Sequence, residues 1–185
     1  ADDPLAMETL RRKGKVSKSK SKVDTTNYNY LIEPRNILGN EETEGLQSSS
    51  TVGIDSIGNV FLAWQDYGKD GSLNGVFGRR FMSNATPFGE DFLVNTTTTY
   101  DQEAPSLITN AGGQSVSVWM SGITTKEIRG QVFDKDGNTL GREFRASGGN
   151  IGFNPKVALS NEDEFVVVWE NIDSDGRGIA AQRMK

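Results

Sequence analysis

Three tryptophans constrain this chain more than any other feature. Trp64, Trp119 and Trp169 stand 55 and 50 residues apart, and the sequence around each repeats in register. Fourteen residues before each indole lies Ser50, Pro105 or Pro155. Between that position and the tryptophan, a short apolar segment, a polar turn at Gly58, Gly113 or Asp163, and a second apolar segment follow one another. Downstream, Val76–Phe81, Ile128–Phe133 and Ile179–Met184 repeat a third segment with a small residue at Gly78, Gly130 and Ala181. Phe92 and Phe144 open a fourth segment eleven residues after Phe81 and Phe133, past turns sharing Gly89 and Gly141. Short strands divided by Gly, Asn, Asp and Ser turns read as β structure, and repetition of the set reads as stacked copies of one supersecondary unit.

Composition agrees with that reading. Gly occurs 21 times and hydrophobic residues make up 35% of 185, a balance suited to short strands and tight turns rather than to long helices. The sequence thus predicts an all-β fold of three four-stranded antiparallel blade-like repeats, a β-propeller-like array or a three-sheet prism, with a β-trefoil ranked last. The segment Phe165–Trp169 is apolar at every position, as a strand covered on both faces requires, whereas Ser115–Trp119 alternates. The recurrent small residue is expected to receive a large tryptophan from a neighbouring sheet.

The ends are read through the same repeat. Asn36–Asn40 aligns with Asp91–Asn95, giving a fourth strand with no first three before it, while the third copy stops after its third strand. An N-terminal strand containing Ile37 and Leu38 is therefore expected to complete the last sheet, in cis or in trans. The implied organisation is a basic arm over 1–26 and a β domain over 27–185, with repeats at about 37–91, 92–143 and 144–185.

Charge divides along the same line. The net charge of −5 combines an arm holding seven bases against four acids with a body holding 13 bases against 21 acids. An acidic body lacks the basic face that phosphate binding needs, which argues against nucleic acid as a partner. No apolar run is long enough to insert in a membrane. Arg11, Arg12 and Lys13, with Ile37 and Leu38, are the residues expected to mediate assembly with an acidic neighbour. The chain opens on Ala-Asp-Asp-Pro, as a product of signal peptidase would, although a cloning remnant would look the same. A secreted or cell-surface setting is expected.

The repeat resembles tandem units of large secreted or surface-anchored bacterial proteins, some of them calcium-associated adhesins. Val167-Val-Trp169, Asp173-Ser-Asp-Gly176, Arg129-Gly-Gln-Val-Phe133, Asp134-Lys-Asp-Gly-Asn138 and Phe92-Leu-Val-Asn95 carry the resemblance over residues 36–185. It implies a propeller-like fold and an extracellular setting, and no activity.

Chemistry is bounded by the absence of His and Cys, which removes Ser-His-Asp, Cys-His and His-zinc sites. A carboxylate pair from Asp66, Glu170 and Asp173 could serve glycoside hydrolysis, but these acids read better as solvated surface groups. Asp70, Asp134, Asp136, Asp173 and Asp175 lie in oxygen-rich loops that can hold Ca²⁺, and equally in Asp-Gly turns that need no metal. Tyr67, Tyr100 and Trp119 offer stacking faces for a glycan, with Trp119 more at home in a core. The resulting expectation is a module without enzymatic activity, for self-assembly or surface adhesion, that exchanges a strand between subunits and partners itself, a surface protein or a glycan. The alternative is a lectin-like carbohydrate-binding domain.

Overall fold

The polar turns fold each copy of the repeat into a meander, and the computed structural model describes it over residues 36–160 and 164–185. The first sheet contains β1 (Gln47–Ile54), β2 (Val60–Tyr67), β3 (Asn74–Phe81) and β4 (Phe92–Leu93), hydrogen-bonded in that order. The second contains β5 (Gln102–Thr109), β6 (Ser115–Ser121), β7 (Glu127–Phe133) and β8 (Thr139–Arg145), again in chain order. The third has β9 (Gly152–Leu159), β10 (Phe165–Asp173) and β11 (Gly176–Met184), so it is three-stranded. All pairs are antiparallel, and β5 packs between β1 and β9 along the inner edge. The fold is all-β and propeller-like: three blade-like sheets stacked face to face.

The second strand of each sheet shows why the stack holds. On β6, Ser115, Ser117 and Trp119 face the first sheet, while Val116, Val118 and Met120 face the third, and the whole strand is buried. The alternation of Ser and Val there marks two covered faces, one tightly approached, rather than one wet face. Trp119 fills the joint between sheets one and two with Phe61, Ala63, Val76, Val94, Leu107 and Phe133. Trp169 fills the joint between sheets two and three with Val116, Val118, Met120, Ile128, Phe165 and Val167. Each tryptophan at a joint therefore faces the preceding sheet.

The small position on the third strand has a different cause from the one expected. A Cβ at Gly130 would lie 2.5 Å from Phe144 Cζ and 2.8 Å from the Ser117 carbonyl oxygen, so the covering ring is Phe144 of the same sheet, not a neighbouring tryptophan. At Gly78 the ring is Phe61, 2.6 Å away. Ala181 can carry its methyl because no fourth strand among the described residues covers β11, and it is exposed.

Completion of the last sheet in cis is corrected. Residues 36–40 form no strand, and Ile37 and Leu38 are 46% and 62% exposed. Gly39 packs on Leu62, and Asp91 accepts the Glu41 N–H while pairing with Lys69, so this segment straps the outward face of the first sheet. Packing on Leu62 and the hydrogen bonds to Asp91 hold residues 39–41 against the first sheet, away from the free edge of β11. Arg11, Arg12 and Lys13 lie outside the described residues.

Candidate functional site

The stack has two unlike ends. At one, the first strand of each sheet carries a bulge: Ser49, Ala104 and Asn154 occupy equivalent positions with φ of 53°, 51° and 51°. These side chains are held in the left-handed region at a cost of about 1–3 kcal/mol each. Two are anchored from the preceding sheet by the residue after its tryptophan. Gln65 Oε1 accepts the Ala104 N–H at 3.0 Å, and Met120 Sδ accepts the Asn154 N–H at 3.4 Å. The third such residue, Glu170, instead takes Asn154 Nδ2 and Arg177, each of which holds its carboxyl below the ordinary range.

At the opposite end, three turns of one design crowd together. Asp55 Oδ1 accepts the N–H of Ile57 and of Asn59, and Oδ2 accepts Asn59 Nδ2. Asp134 does the same with Asp136 and Asn138, and Asn110 with Gly112 and Gln114. Each turn needs a left-handed fourth residue, which Gly58, Gly113 and Gly137 supply at φ of 89°, 87° and 91°. Ser56 binds the Ala111 carbonyl oxygen through both its N–H and its hydroxyl, locking the turns of neighbouring sheets.

Between these turns, sheets one and two leave a cleft of about 190 Å³. Asp55, Asn59, Arg80, Lys135 and Asp136 supply polar groups, and Phe61, Phe81, Met82 and Phe88 supply apolar surface. Met82 and Phe88 are 43% and 51% exposed at its rim, whereas Phe81 is buried. Arg80 is the central side chain. It is only 8% exposed, donates to the carbonyl oxygens of Lys135 (2.6 Å) and Asp134 (3.0 Å), and stacks 4.8 Å over the Phe61 ring. Its Nε–H has no acceptor among the described residues. Burial lowers the tendency of this guanidinium to stay charged, and the nearby Asp134, Asp136 and Asp55 partly restore it. Charges in the cleft balance, since Asp55 and Asp136 offset Arg80 and Lys135. Polar groups around an apolar floor can hold a small, neutral, hydroxyl-rich ligand.

The residues singled out from sequence fall elsewhere for the most part. Among the candidate calcium ligands, Asp134 and Asp136 sit beside the cleft, Asp134 engaged in its turn and Asp136 paired with Lys135. Asp70, Asp173 and Asp175 lie at the bulge end in two different sheets. Asp70 Oδ1 caps Ser72 while Oδ2 is buried without a partner, and Asp173 accepts the Asp175 N–H. Among the described residues, no group of three or more acids is placed to share a metal ion. The carboxylates considered for hydrolysis are separated: Asp66 is buried on the first sheet with Trp64 and Gln47, and Glu170 lies on the third. Trp119 is fully buried, while Tyr67 and Tyr100 are 53% and 55% exposed at the bulge end. The cleft itself was missed. Its one sequence signal is Arg80, a charge at the strand position where the second repeat has Val132.

No protein-family model matches the chain, and no curated protein matches it significantly. Solved structures do. An endo-arabinase from Bacteroides thetaiotaomicron superposes over 83% of this chain and 61% of its own, with 14% identity and a TM-score of 0.51. An endo-1,4-beta-xylanase from the same organism matches over 82% and 64% at 10% identity and TM-score 0.47. A Bacillus subtilis arabinanase matches over 78% and 56% at 15% identity and TM-score 0.45. This chain thus spans less than two thirds of each. The likeness to the endo-arabinase shows a shared propeller-like fold and nothing beyond the fold. The sequence-based reading as an assembly or adhesion module, and the exclusion of an enzyme, are both withdrawn on that ground. No helix long and apolar enough to cross a membrane occurs among the described residues.

Proposed function

We propose that this chain is a carbohydrate-directed, propeller-like protein that seats one neutral sugar ring of a polysaccharide in the cleft between its first two sheets. The observation that carries the reading is Arg80, buried in the cleft wall with an N–H that lacks an acceptor among the described residues, beside an exposed Phe88–Met82 rim. Sugars combine apolar C–H faces with dense hydroxyls, so an aromatic rim beside donors and acceptors suits them. The shared fold with an endo-arabinase adds support and makes arabinan the first polymer to try. A polymeric ligand of that kind is met outside the cell, so a secreted or surface location belongs to the same proposal.

The test is calorimetric titration with arabino-oligosaccharides, with gluco-oligosaccharides as comparison, alongside reducing-sugar release. Phe88→Ala removes an exposed ring and should weaken binding about tenfold, roughly 1.4 kcal/mol. Tyr67→Ala, at the other end, should leave it unchanged. Binding lost in Tyr67→Ala and kept in Phe88→Ala would move the site away from the cleft. Absence of heat with every glycan would refute the proposal.

A further inference from the structure

The turns around the cleft between the first two sheets are tied to one another in a closed circle. Along the inner edge, Ser56 of the first sheet donates both its N–H and its hydroxyl to the Ala111 carbonyl oxygen of the second. Within the second sheet, the turn at Gly113 abuts the turn at Lys135 so closely that a Cβ on the glycine would lie 3.0 Å from Lys135 Cβ. On the outer side, the Arg80 guanidinium crosses between the sheets to the Lys135 and Asp134 carbonyl oxygens, with Gly137 lying against it. Within the first sheet, Asn59 Oδ1 accepts the Ser83 N–H at 3.2 Å, which completes the circle.

The strand ends beneath these turns make a floor. Phe61, Phe81 and Ser115 are buried there, and the Ser115 hydroxyl is bonded to that of Thr109. The exposed lining residues, Met82, Phe88, Lys135 and Asp136, all stand at the mouth. The cleft is therefore a pit. A polymer threading a groove enters at one flank and leaves at the other, but here both flanks are bridged by hydrogen bonds. An internal sugar unit would have to double back through the mouth it entered by. A unit with a single linkage needs only one exit. The volume of about 190 Å³ is also below the roughly 300–1,000 Å³ of sites that take drug-sized ligands, so there is room for one ring.

We infer, on the carbohydrate-directed reading, that the pit takes the terminal residue of a glycan chain or branch and no internal unit. The bridges that fix this choice are Ser56 to Ala111 on one flank and Arg80 to the Lys135 turn on the other.

Calorimetric titration of the full chain tests this, with arabino-oligosaccharides from the disaccharide to the hexasaccharide and with branched and debranched arabinan. Affinity should stay within about threefold across the oligosaccharides, since units beyond the first lie outside the pit. Protein bound per gram of arabinan should fall on debranching, in proportion to the chain ends removed. Phe88→Ala should lower affinity about tenfold at every length. Affinity climbing severalfold with each added unit, binding that follows polymer mass regardless of branching, or a Phe88→Ala loss confined to the longer chains would each overturn the pit and leave carbohydrate binding standing. Absence of heat with every glycan would overturn both.

Discussion

Replacing Gly130 by Ala isolates the physical reason for the small residue that recurs on each third strand. The added methyl would sit 2.5 Å from Phe144 Cζ, 2.8 Å from the Ser117 carbonyl oxygen and 2.9 Å from Val118 Cγ1. Real methyl carbons do not approach this closely. The phenyl ring can swing, but the carbonyl belongs to β6, which is buried along its whole length, so the strands must part slightly. Overpacking of this size costs about 1–3 kcal/mol. Alanine restricts the unfolded chain and returns about 0.5–1 kcal/mol. The net loss should be about 1–2 kcal/mol, a fall in Tm of roughly 3–6 °C for a domain of this size. Urea unfolding should show a lower midpoint with an unchanged slope. Combining Gly130→Ala with Phe144→Ala should cost less than the two separate losses added, because the second change removes the clash. Ala181→Gly is the mirror experiment: with no ring above it, only flexibility is gained, and about 0.5–1 kcal/mol should be lost. Equal or higher stability for Gly130→Ala would refute the packing argument.

Two further substitutions probe how the outer strands are tied down. Asn95 Oδ1 accepts the buried Val76 N–H at 2.7 Å, and Ser147 Oγ does the equivalent for Ile128 at 3.0 Å. Asn95→Ala should therefore cost about 1–3 kcal/mol by leaving a buried donor unpaired, and Asn95→Ser should recover part of it in the same urea assay. Equal losses would show that the acceptor is not the cause. Glu143 is pushed by burial toward protonation, but donors from Arg129, Thr96 and Thr97 outweigh that and hold its carboxyl below the ordinary glutamate range. A depressed carboxyl stabilises fully above the unfolded-state value, about 4.3, and progressively less as pH falls through its folded value. Glu143→Gln should flatten stability against pH in that acidic window, read by thermal melts from neutral pH downward, and an unaltered acid slope would contradict the assignment.

The Trp64, Trp119 and Trp169 spacing made the three sheets legible because each copy must bury the same strand in the same way. The bulges were not legible. Ala104 and Asn154 precede proline, which ordinarily drives a residue to extended backbone, yet both adopt positive φ. Their N–H groups are held by residues from another sheet, a tertiary effect that local preference does not contain. Asn36–Asn40 misled for a related reason. Its pattern matches Asp91–Asn95, but contacts with Leu62 and the Asp91 carboxylate seat it on the first sheet, where it pairs with no strand. The cleft escaped because its walls come from two repeats: Arg80 and Phe88 from one, the Lys135 backbone and Asp136 from the next. Comparison of repeats column by column averages away features that occur once.

The orientation of the indoles gives the molecule a set of built-in reporters. Trp119 and Trp169 each leave their own sheet to look into the crevice before it, so their emission senses whether neighbouring sheets remain in register rather than whether a given sheet is intact. Trp64 lies on the face that the segment around Gly39 straps. Variants keeping one indole at a time would therefore resolve spectroscopically which seam opens first, something a single global signal would blur.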